Sequence, residues 1–294
     1  MGVYVIYMIV YVRTVKMDKI KIGKRLIGEG EKTLIIAEIG LNHSGDVQIA
    51  KDLIVAAKKS GADAVKFQTY ITEKRVPRNS PIYDNLKKCE LTENETRELA
   101  KYADSEGIIL FSTPFDDESV DLLIDLKVPL LKIASFDIVN HKLLEKVAKT
   151  KIPIIISRGM ASIKEIDEAI AIFKKHDTTY ALLHCVSAYP TKDEDANLSI
   201  IRTLMKKYDC PIGYSDHTLR VDVPTLSTAV GACIIEKHFT LDKSMEGADH
   251  KISCNPEELM EIVRRVRKVE KILGTSEIKP MDCEKDTLQY RRSS

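Results

Sequence analysis

The sequence contains no tryptophan and only 6% aromatic residues, so any core has to be built largely from aliphatic side chains. It also lacks a dominant sign of charge. With 45 basic residues against 44 acidic ones, the net charge of +1 supplies no global field for nucleic acid or an anionic membrane, and neither partner is expected. An anionic small molecule would have to be met by locally placed charges. The six cysteines (Cys89, Cys185, Cys210, Cys233, Cys254 and Cys283) contain no C-x-x-C spacing and read as reduced, mostly buried thiols rather than a disulfide framework. Long hydrophobic runs are absent too. The stretch Val3 to Val12 is too short to span a bilayer and follows no basic residue, so it fits neither a spanning helix nor a signal peptide. The cytoplasm is the expected address. Because Met17-Asp18-Lys19-Ile20-Lys21 looks like an ordinary protein start, residues 1–16 are expected to be dispensable.

What the chain does have, from Thr33 onward, is a regular alternation of short apolar runs with longer amphipathic ones. Strands are predicted at 33–38, 63–68, 107–112, 130–135, 152–157, 180–186, 211–215 and 233–239, with helices at 46–59, 93–105, 117–126, 141–149, 162–175, 197–208, 222–230 and 256–273. The strands are aliphatic on both faces, as in a parallel sheet covered on both sides. Successive β-α units of this kind, with no G-x-G-x-x-G after any strand, predict an α/β fold: a (β/α)8 TIM barrel rather than a doubly wound sheet. Asp46, Ser162 and Asn255 are the expected helix N-caps, and Ile166, Ala169, Ile170 and Phe173 form one buried helical stripe. Three regions are expected: an N-terminal extension and hairpin over 1–32, the barrel over 33–273, and a polar tail over 274–294. The hairpin should turn at Gly28 and Gly30 and could plug the barrel floor. Residues 69–92 read as a long loop after strand two, a lid or an interface.

In a TIM barrel the C-terminal strand ends converge on one mouth, and every predicted strand here ends in polar residues. They include Glu38, Lys66 and Gln68, Thr113, Lys132 with Ser135 and Asp137, Ser157, Ser187 with Tyr189, Ser215 with His217, and Glu236 with His238. Members of an i, i+2 pair such as Lys66 and Gln68 share one side of a strand. The two lysines have two readings. They are core residues neutralised by Glu38 or Glu236, or they form an anion clamp with the hydroxyls of Thr113, Ser135, Ser157 and Ser215. His217 and His238 end neighbouring strands and could share a divalent ion. His43 could line the mouth, whereas His176 is expected to be solvated.

The same residues carry a resemblance to the N-acetylneuraminate (sialic acid) synthase family, which includes legionaminate, pseudaminate and spore-coat polysaccharide synthases. The matching segments include Ala37-Glu38-Ile39-Gly40-Leu41-Asn42-His43-Ser44-Gly45-Asp46, Val65-Lys66-Phe67-Gln68-Thr69, Lys132-Ile133-Ala134-Ser135, Tyr189-Pro190-Thr191, Gly213-Tyr214-Ser215-Asp216-His217-Thr218, Glu236-Lys237-His238-Phe239-Thr240 and Asp249-His250. The resemblance implies a metal-dependent condensation of phosphoenolpyruvate with the open-chain aldehyde of an N-acetylated amino sugar such as N-acetylmannosamine, giving a nonulosonic acid and phosphate. It implies that Lys66, Thr113, Lys132, Ser135, Ser157 and Ser215 hold phosphoenolpyruvate. Gln68, Asp137, Tyr189 and Asp249 would face the sugar, Ser187 would be a further substrate-binding position, and Glu38 would join the polar network beneath. His217 and His238 would bind the metal, manganese first and magnesium second, in a homodimeric enzyme.

The chain departs from the family pattern at Ser135-Phe136-Asp137, Ser157-Arg158-Gly159-Met160 and Ser187. The antifreeze-like domain that family members place after the barrel is not found in this sequence, so sugar binding is expected to be weaker than phosphoenolpyruvate binding. Two competing readings are a class I aldolase with Lys132 as the Schiff-base lysine, and a degenerate barrel kept for binding or assembly.

Overall fold

Along each barrel strand the side chains alternate between two destinations, and that period of two sets both the core and the site. On Leu34–Gly40, Ile35, Ala37 and Ile39 point outward into a layer shared with the helices, while Leu34 and Ile36 point inward to the barrel floor. Glu38 is the next inward position. The structure, a computed structural model, describes residues 19–292.

The strands are β1 (Ile20–Ile22), β2 (Arg25–Ile27), β3 (Leu34–Gly40), β4 (Ala64–Thr69), β5 (Ile109–Pro114), β6 (Leu131–Ile133), β7 (Ile154–Ser157), β8 (Tyr180–Cys185), β9 (Ile212–Asp216) and β10 (Ile234–His238). The helices are α1 (Val47–Lys59), α2 (Thr72–Arg75), α3 (Tyr83–Cys89), α4 (Glu93–Glu106), α5 (Asp117–Asp125), α6 (His141–Lys149), α7 (Ile163–Lys175), α8 (Ser199–Lys207), α9 (Asp222–Ala229) and α10 (Pro256–Leu273). Strands β3 to β10 are parallel and close into a barrel in chain order, with β10 paired back to β3. The expected TIM barrel is therefore the observed one.

Asp46, Ser162 and Asn255 each accept a backbone N–H at the start of their helices, as the sequence predicts. The stripe Ile166, Ala169, Ile170 and Phe173 is buried. The five cysteines Cys89, Cys185, Cys210, Cys233 and Cys254 are buried and free, and Cys283 is exposed and free. Among the described residues, no helix is long and apolar enough to cross a membrane.

The hairpin does plug the floor: Ile20, Ile22 and Ile27 pack with Leu34, Ile36, Phe111, Leu130, Ile155 and Ile234. Its turn, however, is not at Gly28 and Gly30. Pairing of Ile20 with Ile27 and Ile22 with Arg25 leaves Gly23 and Lys24 as the connection, and Gly23 takes the left-handed φ of 57°. Burying three isoleucines on one face fixes that register. Arg25 then anchors the hairpin to Asp63, which also receives Arg267 of α10 at 2.9 Å. The floor is tightly filled at β9, where a Cβ on Gly213 would lie 2.5 Å from Leu183 and 2.6 Å from Ile234.

The segment 69–92 is not a structureless loop. It contains α2 and α3, pinned by Tyr70 Oη donating to Leu86 O at 2.8 Å and by Ile71 N donating to Asp116 Oδ2 at 2.7 Å. Residues 274–292 are exposed throughout and include two short 3-10 turns. The expectation that residues 1–16 are dispensable lies outside the described residues.

Candidate active site

Above the aliphatic floor, the inward positions turn polar on nearly every strand and surround a cavity of about 250 Å³. Strand register brings them together: Glu38 lies beside Lys66 and His238, Gln68 beside Thr113, and Ser215 beside both Glu236 and Cys185. The cavity is lined by Glu38, Lys66, Gln68, Thr113, Lys132, Ser135, Ser157, Tyr189, Ser215, His217, Glu236, His238 and Asp249 among others, so thirteen sequence-derived site positions converge.

At its centre lies a buried charge network. Lys66 Nζ stands 3.0 Å from Glu38 Oε2 and 3.4 Å from Glu236 Oε2, and donates to Thr113 Oγ1 at 3.2 Å. Lys132 Nζ donates to Ser157 Oγ at 2.6 Å and to the carbonyl of Ile133 at 2.9 Å, with Glu236 Oε1 3.9 Å away. Ser215 Oγ donates to that same Glu236 oxygen at 2.9 Å. The two lysines thus bear out the countercharge reading, and their place in the cavity lining is what the clamp reading requires.

Burial pushes the Glu38 carboxyl up to about 7, outweighing the pull of Lys66. Burial would raise Glu236 too, but Lys132 and Lys66 overcome it and hold this carboxylate well below its usual range. Burial lowers Lys132 to about 8, and the neighbouring Lys66 works in the same direction against the attraction of Glu236. Lys66 itself is raised, because Glu236 and Glu38 outweigh its burial. Gly40 makes room for this network: its φ is 53°, and a Cβ there would lie 3.1 Å from Glu38 Oε1 and 3.3 Å from Gln68 Nε2. Those two side chains instead meet, with Gln68 Nε2 donating to Glu38 Oε1 at 3.2 Å.

One wall of the mouth is a cluster of rings. The centroids of His217 and His238 are 5.5 Å apart, and Tyr189 packs on His217 at 4.2 Å. His217 Nδ1 donates to the carbonyl of Val186 at 2.7 Å and also approaches Cys185 Sγ at 3.8 Å. Burial opposes ionisation of both partners, yet their mutual contact lowers the Cys185 thiol and raises His217. His238 is driven down to about 4 by burial, and its Nδ1 is buried without a hydrogen-bond partner, 3.7 Å from Asp249 Oδ2.

Residues 53–278 match the NeuB family. The chain belongs to that family. An uncharacterised protein of Methanocaldococcus jannaschii is 51% identical to it, over 95% of this chain and 83% of the relative. The N,N'-diacetyllegionaminic acid synthase of Legionella pneumophila is 45% identical, over 87% of this chain and 78% of its own length. Among solved structures, the N-acetylneuraminic acid (sialic acid) synthetase of Leptospira borgpetersenii serovar Hardjo-bovis, in complex with citrate, shares 42% identity and a TM-score of 0.91. That likeness covers 94% of this chain and 96% of the other. The family resemblance read from the strand-end motifs is thereby established.

Two expected NeuB-type positions do not line the cavity. Asp137 sits in a 3-10 turn after β6, accepting from Asn140 Nδ2 at 3.2 Å, and the exposed ring of Phe136 takes the lining position instead. Ser187 Oγ is buried without a partner, packed against Gly159 beside Ser135 Oγ, which accepts from Gly159 N at 3.0 Å. His43 does not reach the mouth: it is fully buried, tilted against Phe67, and lowered to about 4 by burial. His176 is not solvated but pairs with Glu145 of α6. Arg75 and Cys185 also line the cavity and were not among the positions expected from the sequence. Cys185 could have been found from its inward register two positions after Leu183, whereas nothing in the pattern of 69–92 pointed to Arg75.

Proposed function

We infer that this chain condenses phosphoenolpyruvate with the open-chain aldehyde of an N-acylated amino sugar, giving a nonulosonic acid and inorganic phosphate. The observation that carries this reading is the pair of buried lysines, each backed by a hydroxyl and opposed by Glu236, deep in the cavity of a NeuB-family barrel. In the reaction, C3 of phosphoenolpyruvate bonds to the aldehyde carbon, whose oxygen takes a proton. Water then adds at C2, and the C2–O bond to phosphate breaks to leave a ketone.

The chain's own groups suit each demand. Lys66 and Lys132, with Thr113, Ser135, Ser157 and Ser215, present donors to the phosphate and carboxylate of phosphoenolpyruvate. Glu236, held ionised in the cavity wall, would stabilise the positive charge that develops at C2. Glu38, poised near neutrality, is placed to hold or release a proton beside Lys66. Gln68, Tyr189 and Asp249 line the cavity and would face the sugar. The name of the Legionella relative, a diacetyllegionaminic acid synthase, supports an N-acylated acceptor.

The residues present fit a divalent ion, manganese before magnesium. His238 is neutral with a buried, unpartnered Nδ1, and His217 commits Nδ1 to Val186 and leaves Nε2 for a ligand. Among the described residues no set of three or more His, Cys, Asp or Glu side chains forms a metal site, so the remaining positions would fall to water and substrate oxygens. Bound there, the ion would supply Lewis acidity toward an aldehyde or water oxygen. A homodimer in the cytoplasm, with no nucleic acid or membrane partner, completes the proposal. One observation favours a second reading. The depressed Lys132 amine suits a Schiff-base aldolase, and borohydride trapping of pyruvate on Lys132 would reveal it. Phosphate release from phosphoenolpyruvate, dependent on an N-acylhexosamine, tests the first.

A further inference from the structure

Three cationic side chains line the cavity, and they differ in what opposes them. Lys66 and Lys132 are met by Glu38 and Glu236. Arg75, among the described residues, forms no ion pair. Its guanidinium carbon lies 3.7 Å from the ring centroid of Phe115 and 4.7 Å from that of Tyr70, and Nη1 donates to Gln68 Oε1 at 3.0 Å. That grip uses one of five N–H donors and leaves the others for a ligand. The helix that carries it is fixed from outside, by Ile71 N on Asp116 and by Thr72 N donating to Glu90 Oε2 at 2.9 Å.

Height in the barrel indicates what the free donors meet. Lys66 and Lys132 mark the deep layer, Gln68 stands two residues further along β4, or roughly 6.6 Å nearer the mouth, and Arg75 is held on the far side of Gln68. A three-carbon phosphoester bound on the lysines fills the deep layer, so the molecule at the level of Arg75 is the one that lies over it. We propose that Arg75 is a binding residue for the acceptor sugar, its stacked guanidinium donating to hydroxyl or acyl-carbonyl oxygens. Asp249, expected to face the acceptor, lines the same cavity as Arg75. This inference rests on the function proposed above and names the part of that site which the loop between β4 and α4 supplies.

The test compares wild type with Arg75→Met and Arg75→Lys, using phosphoenolpyruvate, manganese and the N-acylhexosamine that wild type turns over best. Arg75→Met should raise KM for the acceptor about tenfold or more, with kcat less affected, while phosphoenolpyruvate affinity by calorimetry stays within about twofold. Arg75→Lys should not restore KM, because a point charge cannot keep both the ring stack and the Gln68 bond. Preserved phosphoenolpyruvate binding certifies the fold, and if the Met variant loses it by unfolding, Arg75→Gln is expected to show the same split. Weakened phosphoenolpyruvate binding in a folded variant, or an unchanged acceptor KM, overturns the inference while leaving the proposed reaction standing. A wild type that releases no phosphate with any acceptor overturns the reaction itself, and this inference with it.

Discussion

Replacing Lys132 by Met tests whether the deep lysines are a substrate clamp or only countercharges. Methionine preserves most of the volume, so the loss is chiefly the ammonium and its bonds to Ser157 Oγ at 2.6 Å and Ile133 O at 2.9 Å. Glu236 would keep Lys66 at 3.4 Å and Ser215 at 2.9 Å, so it is weakened rather than stranded. The folding cost should therefore fall below the roughly 3–5 kcal/mol of a fully broken buried pair, at about 1–3 kcal/mol for the unsatisfied groups left behind. The effect on ligand binding is a separate quantity. Losing one charge-assisted hydrogen bond to phosphate costs about 1.5–3 kcal/mol, or roughly ten- to a hundredfold in Kd. Calorimetry with phosphoenolpyruvate and a urea melt on the same preparation read the two effects independently. A variant that is less stable but binds phosphoenolpyruvate as tightly as wild type would refute the clamp and leave Lys132 as a countercharge.

Glu38 gives a pH signature: its carboxyl is raised to about 7 in the folded protein, so the stability it contributes is complete below the ordinary carboxylate range and is lost as pH rises through about 7. Ionisation over that window also sets a new negative charge against Lys66. Relative to Glu38→Gln, wild type should lose phosphoenolpyruvate affinity between pH 6 and 8, about three- to tenfold, and parallel profiles would show that Glu38 does not titrate there. His217→Ala and His238→Ala should each weaken manganese binding by about tenfold or more while leaving the melting temperature within a few degrees, and a double variant with wild-type metal affinity would place the ion elsewhere. Ile22→Ala, at a position 1% exposed in the barrel floor, should cost about 2–5 kcal/mol in a denaturant titration. A cost below about 0.5 kcal/mol would mean that the hairpin is not part of the core.

Most of the barrel was legible because its strands are covered on both faces and bounded by capped amphipathic helices, so the strand and helix signals rarely compete. The strand-end pairs Lys66 with Gln68 and Glu236 with His238 were legible for a related reason: a period of two holds as long as the chain is extended. It fails after Ile133, where β6 gives way to a 3-10 turn, and there Phe136 rather than Asp137 reaches the cavity. The hairpin turn was misplaced because Gly28 and Gly30 are the more conspicuous glycines, while the true register is chosen by burial of Ile20, Ile22 and Ile27. α2 has four residues and α3 seven, too few to show a helical period, so the segment that carries Arg75 looked like a loop. His176 looked solvated because its partner Glu145 lies 31 positions away, on a neighbouring helix. Pairings between elements leave no local trace in a sequence.

The central claim is that this NeuB-family barrel joins phosphoenolpyruvate to an amino-sugar aldehyde. Purified protein mixed with phosphoenolpyruvate, manganese and a panel of N-acylhexosamines, followed by phosphate release and mass spectrometry, tests it most directly. The account predicts phosphate released only when an acceptor is present, one equivalent for each nonulosonic acid formed, and about ten- to a hundredfold less from Lys66→Met or Lys132→Met at subsaturating phosphoenolpyruvate. Phosphate release that is absent with every acceptor, or that proceeds without one and yields no longer-chain sugar acid, would contradict it.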